Sequence, residues 1–322
     1  VRSMTDPSTS APSTISVQAP PRGPLGLTGP QKREIKKFLT ALLYLAPALL
    51  IFAAFVFIPL VQSIRLSTYL TDPLGRAAKF VGLLQYQRLF DNDQFANSLL
   101  RSVQFVLYTV PTTLLVAMGL ALLGNLRLRR IDIFRMIFSI TIAVSGATAA
   151  LIFSYLFTPS LGWLNYLLSL IGVDAIPWLI SEKTALPAVA LTTVWLQVGL
   201  NTVILLAGMQ GIAEELYESA MIDGATAWSK FRHITLPLLS PTLFFLLIVD
   251  VLAAFQTFTQ IHVMTSGGPL DSTNVLVFSI YREFYFNGKY GLAAAQSIML
   301  FLIILVLTVI QFGVVEKRVH YE

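Results

Sequence analysis

Along the chain, long apolar runs alternate with shorter polar segments. Six runs of similar length cover about 38–61, 102–124, 134–157, 186–209, 238–255 and 292–314. A helix rises 1.5 Å per residue, so about 20 apolar residues cross the roughly 30 Å hydrocarbon core of a bilayer. Each run is therefore expected to be a membrane-spanning helix. Pro47 and Pro59 fall in or near the end of the first run, which lipid-buried helices tolerate because neighbouring groups take up the freed carbonyls. Between the runs lie a mixed-charge segment (65–101), a basic turn (127–130), loops at 159–185 and 256–291, and an amphipathic stretch at 211–237. Residues 1–31 are rich in Pro, Ser, Thr and Gly and have no apolar period, so they read as a disordered cytoplasmic tail ahead of a membrane domain over 32–322. The tail does not read as a signal peptide, because a basic start should lead directly into a short apolar run.

Composition agrees with this pattern. Of 322 residues, 55% are hydrophobic and only 12% charged, with a mean hydropathy of +0.72. Soluble domains run at about 45–50% apolar and about 25% charged. An ordinary soluble enzyme is excluded, and the expected class is an all-α polytopic membrane protein with about six spans. Cysteine is absent, so neither a disulfide framework nor a thiolate nucleophile is available. His233, His262 and His320 are far apart and no HExxH spacing occurs, so no metal site is expected. No histidine–carboxylate constellation and no G-x-S-x-G is present, so no catalytic residues are expected. No phosphate loop occurs: Gly288-Lys289 lacks the partner glycine and is followed by Tyr290.

Lysine and arginine set the orientation. With the N-terminus inside, the inner segments carry 14 of the 22 basic residues, although the outer loops are longer. The clusters Lys32/Arg33/Lys36/Lys37 and Arg127/Arg129/Arg130 are the strongest local signals. Both place the N- and C-termini in the cytoplasm.

The stretch 211–237 then lies on the inner side. Leu216, Ala220 and Met221 share a helical face, Gly224 stands where a helix would end in a left-handed turn, and Trp228, Phe231 and Ile234 recur at helical spacing before Pro237. The expectation is helix, glycine turn, helix. Four acids (Glu214, Glu215, Glu218, Asp223) face two fixed bases (Lys230, Arg232). Helices that rest on headgroups carry a Lys/Arg-rich polar face, so an acidic amphipathic element fits a protein groove better.

In this stretch, Glu218-Ser219-Ala220, three residues, Gly224, nine residues, Ile234, one residue and Leu236-Pro237 resemble the EAA signature of permease subunits of bacterial ATP-binding-cassette importers. The one departure is Ser219 where alanine is usual. Met264-Thr265-Ser266-Gly267-Gly268-Pro269 is similar to the MTxGGP loop of the maltose-type carbohydrate branch, and the ending 311–321 is similar to the A-type permease of sn-glycerol-3-phosphate importers. The resemblance covers about residue 38 to the C-terminus. It implies a multi-pass protein of the bacterial cytoplasmic membrane that couples to an ATPase through Glu218, Ser219, Ala220, Gly224, Trp228, Ile234, Leu236 and Pro237. It further implies a second, homologous permease, a dimer of ATPase subunits that bind ATP and Mg, and an extracytoplasmic substrate-binding protein. The implied cargo is glycerol-3-phosphate, a glycerophosphodiester or a related sugar-type substrate. This chain would itself hold no cofactor and contact no nucleic acid, and its remaining partner is membrane lipid.

A translocation path has to be polar. Gln104, Tyr108 and Thr112 fall at i, i+4, i+8 in the second run, and Thr193, Gln197 and Asn201 repeat this in the fourth. Thr141, Ser145 and Thr148 read as a third stripe. Such residues also serve as hydrogen-bonding glue between helices, and both readings stay open. Asp250 is the only ionisable residue deep inside a run, hence either a path residue or a brace. Gly267, Gly268 and Pro269 are candidates for an outer contact with the binding protein, or a plain turn. A secondary transporter or channel with no ATPase partner is the competing reading. One intramembrane acid and no visible repeat speak against ion coupling.

Overall fold

The computed structural model describes residues 29–126, 128–160 and 162–315. The expected tail up to residue 28, Arg127 and the chain end from 316 lie outside the described residues. The chain divides into two units after Val61. The described part of the first is apolar helix: α1 (Gly29–Phe52) runs through a π turn at Ala53–Phe57 into α2 (Ile58–Leu66), within which the boundary falls. Lys36–Leu66 is long and apolar enough to cross a membrane. Leu43, Tyr44 and Phe55 on it are exposed. A helix that is hydrophobic all round needs lipid or protein around it.

After the end of α2 the second unit forms a short hairpin, an addition to the expected helices. Strands β1 (Tyr69–Thr71) and β2 (Ala77–Phe80) pair antiparallel with Tyr69 opposite Phe80. Asp72 closes the turn by accepting from the Leu74 and Arg76 N–H groups at 3.0 and 2.8 Å. After α3 (Leu84–Phe90), α4 (Asp93–Gly124) begins well before 102, because Asn92 caps it by accepting from the Gln94 N–H at 2.9 Å. Polar residues ahead of the apolar run thus extend the helix, which hydropathy alone did not reveal.

The run 134–157 is two helices rather than one. α5 (Ile131–Ser139) passes through a 3-10 turn at Ile140–Ala143, and α6 (Gly146–Leu156) leaves it at 104°. Ser145 causes the restart: its extended backbone and its hydroxyl, which accepts from the Thr148 N–H, make it an N-cap. The stripe Thr141/Ser145/Thr148 expected on one helical face is therefore corrected. Thr141 belongs to the turn and donates to the Phe138 carbonyl, while Ser145 and Thr148 belong to the next helix.

After α7 (Trp163–Leu170) comes α8 (Ala185–Gln210), whose residues are buried on most sides. α4 packs along it with buried small residues that include Ala117 and Ala121. Gly199 lets α8 meet the 3-10 turn: a Cβ there would run into the Phe138 carbonyl oxygen and Thr141 Oγ1.

α9 (Glu214–Ile222) and α10 (Ala227–Lys230) follow on the polar stretch. A π turn at Phe231–Thr235 joins α10 to α11 (Leu236–Leu238), and α12 (Ser240–Phe255) continues after a 65° bend. The segment 256–291, read as a loop, contains α13 (Thr259–Met264) and α14 (Leu276–Tyr281). These helices are too short to register by periodicity. Their Ile261 and Phe278, with Val275 at the cap of α14, join the core built on α6 and α8. The last helix is α15 (Tyr290–Ile310). Among the described residues four helices are long and apolar enough to span a membrane, and six if each bent pair counts as one.

Candidate functional site

Residues 214–237 form the helix, turn and helix expected of them. α9 ends in a Schellman-type turn: the Ala225 N–H donates to the Ala220 carbonyl at 2.8 Å and the Gly224 N–H to the Met221 carbonyl at 3.1 Å. Gly224 takes φ +75°, and a Cβ on it would meet no atom within 4 Å. Its need for glycine is thus one of backbone conformation, not of space. Thr226 then caps α10 by accepting from the Ser229 N–H. Tyr217 on α9 and Thr235 on the second arm share a hydrogen bond of 2.9 Å between their hydroxyls, which ties the two arms together.

This element leaves its apolar residues uncovered. Trp228 is 68% exposed, Ile222 87%, Met221 55% and Leu216 44%. Trp228 stacks obliquely on Phe231 at 5.5 Å. Glu218, Ser219 and Gly224 are also exposed, while Ala220, Ile234, Leu236 and Pro237 are half-buried. Ile222 was missed by the sequence reading, although its signal was present in the run Ala220-Met221-Ile222. The result is a set of exposed aromatic and aliphatic side chains on a polar, acidic element. The second arm continues across the 65° bend into α12.

The polar stripes separate. On α8, Thr193 donates to its own helix at the Val189 carbonyl, and Asn201, 3% exposed, donates through Nδ2 to Asp250 Oδ2 of α12 at 2.6 Å. Asp250 is 2% exposed. The structure thus brings two of the candidates together, as an inter-helix contact inside the bundle. Gln197 is half-buried, one turn further along. On α4, by contrast, Tyr108 and Thr112 are exposed and Gln104 half-buried, on the face opposite the one that packs on α8. Arg101 Nη1 donates to Gln104 Oε1 at 3.0 Å, a pairing that the sequence spacing allowed but did not specify.

The 264–269 loop is held from inside. Gly267 is buried with φ +84°, and a Cβ would fall 2.6 Å from the Phe278 ring. Thr273 Oγ1 donates to the Gly268 carbonyl at 2.8 Å, and Arg282 pairs with Asp271 at 2.6 Å. Gly268 and Pro269 are half-buried. Among the described residues no group of three or more His, Asp or Glu side chains is placed to hold a metal ion.

Comparison with known proteins agrees with this geometry. Residues 80–321 match the family described as binding-protein-dependent transport system inner membrane component. The sn-glycerol-3-phosphate transport system permease protein UgpA of Agrobacterium fabrum is 38% identical over 284 residues, covering 87% of this chain and 95% of the relative. That of Pectobacterium atrosepticum is 35% identical over 279 residues, covering 86% and 94%. Among solved structures, a chain of a bacterial ABC transporter involved in the import of the acidic polysaccharide alginate aligns with a TM-score of 0.74 at 23% identity, over 88% of this chain and 98% of that one. A chain of the alginate transporter in complex with its alginate pentasaccharide-bound periplasmic protein aligns with a TM-score of 0.76 at 23% identity, over 87% and 95%. The bent spans, the exposed acidic helix pair and the match over three-quarters of the sequence have one reading: the chain belongs to the binding-protein-dependent transport system inner membrane components, the permease subunits of ATP-driven importers, and is a multi-pass protein of the bacterial inner membrane.

Proposed function

We propose that this chain forms half of the translocation path for sn-glycerol-3-phosphate, a glycerophosphodiester or a related sugar-type substrate. A binding protein delivers the substrate outside, and a second, homologous permease supplies the other half of the path. ATP and Mg bind to a dimer of ATPase subunits, one of which receives 214–237 in a groove. N- and C-termini lie in the cytoplasm on this reading, and the membrane domain occupies 32–322. The observation that carries it is the uncovered apolar face of Leu216, Met221, Ile222 and Trp228 on an acidic element. ATP-driven closure of the ATPase dimer moves that element, the Tyr217–Thr235 tie keeps its arms together, and the second arm drives α12 through the bend. Substrate and nucleotide bias the inward and outward states only by binding one better than the other.

The cargo class rests on relatives at 35–38% identity. The pairing of Asp250 with Asn201 supports it further. An acid facing the path would repel a phosphate, but Asp250 is turned to an amide inside the bundle, so these two act as a brace. Tyr108, Gln104 and Arg101 on the open side of α4 are then the path residues, with the Arg101 guanidinium as the phosphate contact. Gln197 lies along the same route, and Gly267, Gly268 and Pro269 shape the outer mouth.

The chain has no cysteine, which gives a direct test. Ile222→Cys in the assembled transporter is expected to resist a soluble maleimide when the ATPase is present and to label when it is stripped away, and uptake of labelled glycerol-3-phosphate should need both ATPase and binding protein. Equal labelling in both states, or uptake without ATP hydrolysis, defeats the reading.

A further inference from the structure

The turn between α4 and α5 holds a groove of about 250 Å³ lined by Leu123, Leu126, Leu128 and Phe134 together with Arg129 and Arg130. Leu123, Leu126 and Leu128 are exposed. Neither the Arg129 nor the Arg130 guanidinium makes an ion pair or hydrogen bond with any described residue, and both side chains are exposed. Arg135, in the second turn of α5, is engaged differently. Arg135 grips the last carbonyl of α4, donating to the Gly124 oxygen through Nε at 3.0 Å and Nη2 at 2.8 Å, and its Nη1 pairs with Asp132. This grip satisfies a helix end and fixes the turn. Arg130 meanwhile adopts φ +69°, a left-handed conformation that an L-residue with a long side chain keeps only where its surroundings hold it there. The result is a preset turn, two free cations and an apolar groove, at the end of a membrane-spanning helix.

We propose that this turn binds an anionic glycerophospholipid, with an acyl chain along Leu123, Leu126, Leu128 and Phe134 and the phosphate held by Arg129 and Arg130. The inference rests on the orientation proposed above, which places the turn at the cytoplasmic leaflet. That leaflet is negatively charged and attracts basic residues beside spans. Guanidinium groups present paired N–H donors that match phosphate oxygens. The groove continues the apolar surface of α4, where an acyl chain is the available neighbour, and its cations complement the phosphate. A zwitterionic lipid offers the same chains with no net charge, so the site should discriminate by headgroup.

The test uses the full chain in detergent, with native mass spectrometry reading retained phosphatidylglycerol against phosphatidylcholine. Wild type should retain phosphatidylglycerol preferentially. Removing one arginine should weaken it by about fivefold, and R129Q/R130Q by roughly 25-fold, from the usual contribution of a basic residue at an anionic surface. R129K/R130K should stay within about fivefold of wild type. Free sn-glycerol-3-phosphate should not displace the lipid, because the acyl contact is missing from it. Equal retention of both lipids, an unchanged R129Q/R130Q, or full displacement by free glycerol-3-phosphate overturns the lipid site. Protection of Arg129 from chemical modification by an added ATPase, without any lipid preference, would overturn it in favour of a protein interface. Asn125→Cys, labelled by a membrane-impermeant maleimide from one side only, reports the orientation independently. Labelling from outside refutes the leaflet, whereas lipid retention indifferent to the arginines refutes the site.

Discussion

Replacing Gly224 by valine separates the conformation of the coupling element from everything else in the chain. Gly224 sits at φ +75°, and a Cβ added there would have no atom within 4 Å, so the first carbon of the new side chain clashes with nothing. The penalty is that of a left-handed backbone, about 1–2 kcal/mol for an L-residue, and a β-branched residue lies at its upper end. One to two kcal/mol shifts an equilibrium by about 5–30-fold. The turn that sets α9 against α10, fixed by the Ala225–Ala220 and Gly224–Met221 hydrogen bonds, would therefore be depopulated by that factor, or would hold its shape only by drawing on the docking energy. The core around α4, α8 and α12 is untouched, so membrane insertion and thermal stability should match wild type. In proteoliposomes carrying the whole transporter, uptake should fall by about 5–30-fold while the ATPase still turns over. Gly224→Asn should recover much of the loss, because asparagine tolerates this conformation. Wild-type uptake by Gly224→Val would refute the reasoning. So would equal losses for Val and Asn, which would mean that the side chain rather than the backbone matters.

Gly199→Ala should destabilise the permease by about 1–3 kcal/mol through overpacking, since its Cβ would meet the Phe138 carbonyl and Thr141; Gly119→Ala, with open space around it, is the control, and thermal unfolding in detergent compares the two. A double-mutant cycle on Asn201→Leu and Asp250→Leu should give a coupling of about 0.6 kcal/mol and at most roughly 1.7, the mean and maximum measured for hydrogen bonds between membrane helices, whereas a zero coupling measured by unfolding would remove the brace. Trp228→Ala should leave the stability of the isolated chain unchanged, because the indole is 68% exposed, yet weaken ATPase capture by about 2 kcal/mol or more, as an interface anchor does; calorimetry of the two purified components decides it. Arg101→Gln should raise the substrate concentration for half-maximal uptake of a phosphate-bearing cargo and leave transport of a neutral sugar analogue, if it is carried, unaffected.

What could be read ahead of the structure follows from the length scale of each signal. A span is an average over about 20 residues, and averages survive local detail. The helix–glycine–helix element was legible because its cues are local: an apolar face, one glycine and apolar residues that recur at helical spacing before Pro237. The break at 140–145 was not, since apolar residues continue through it and only Ser145 marks the restart. The same holds for α13 and α14, six residues each, whose helical state depends on burying Ile261 and Phe278 against α6 and α8. The stripe argument read Asn201 and Tyr108 alike, as polar residues on a helical face, and only packing separated them.

Sequence alone determined that the chain is built from membrane helices with one acidic, apolar-faced element outside them, because hydropathy, charge bias and capping act within a few turns of helix. Tertiary structure decided which polar groups face one another. Asp250 meets Asn201 across 49 residues, Gly199 admits the broken span, and Arg135 closes on Gly124. Such pairings depend on where two helices approach each other, a quantity that no stretch of either helix contains by itself.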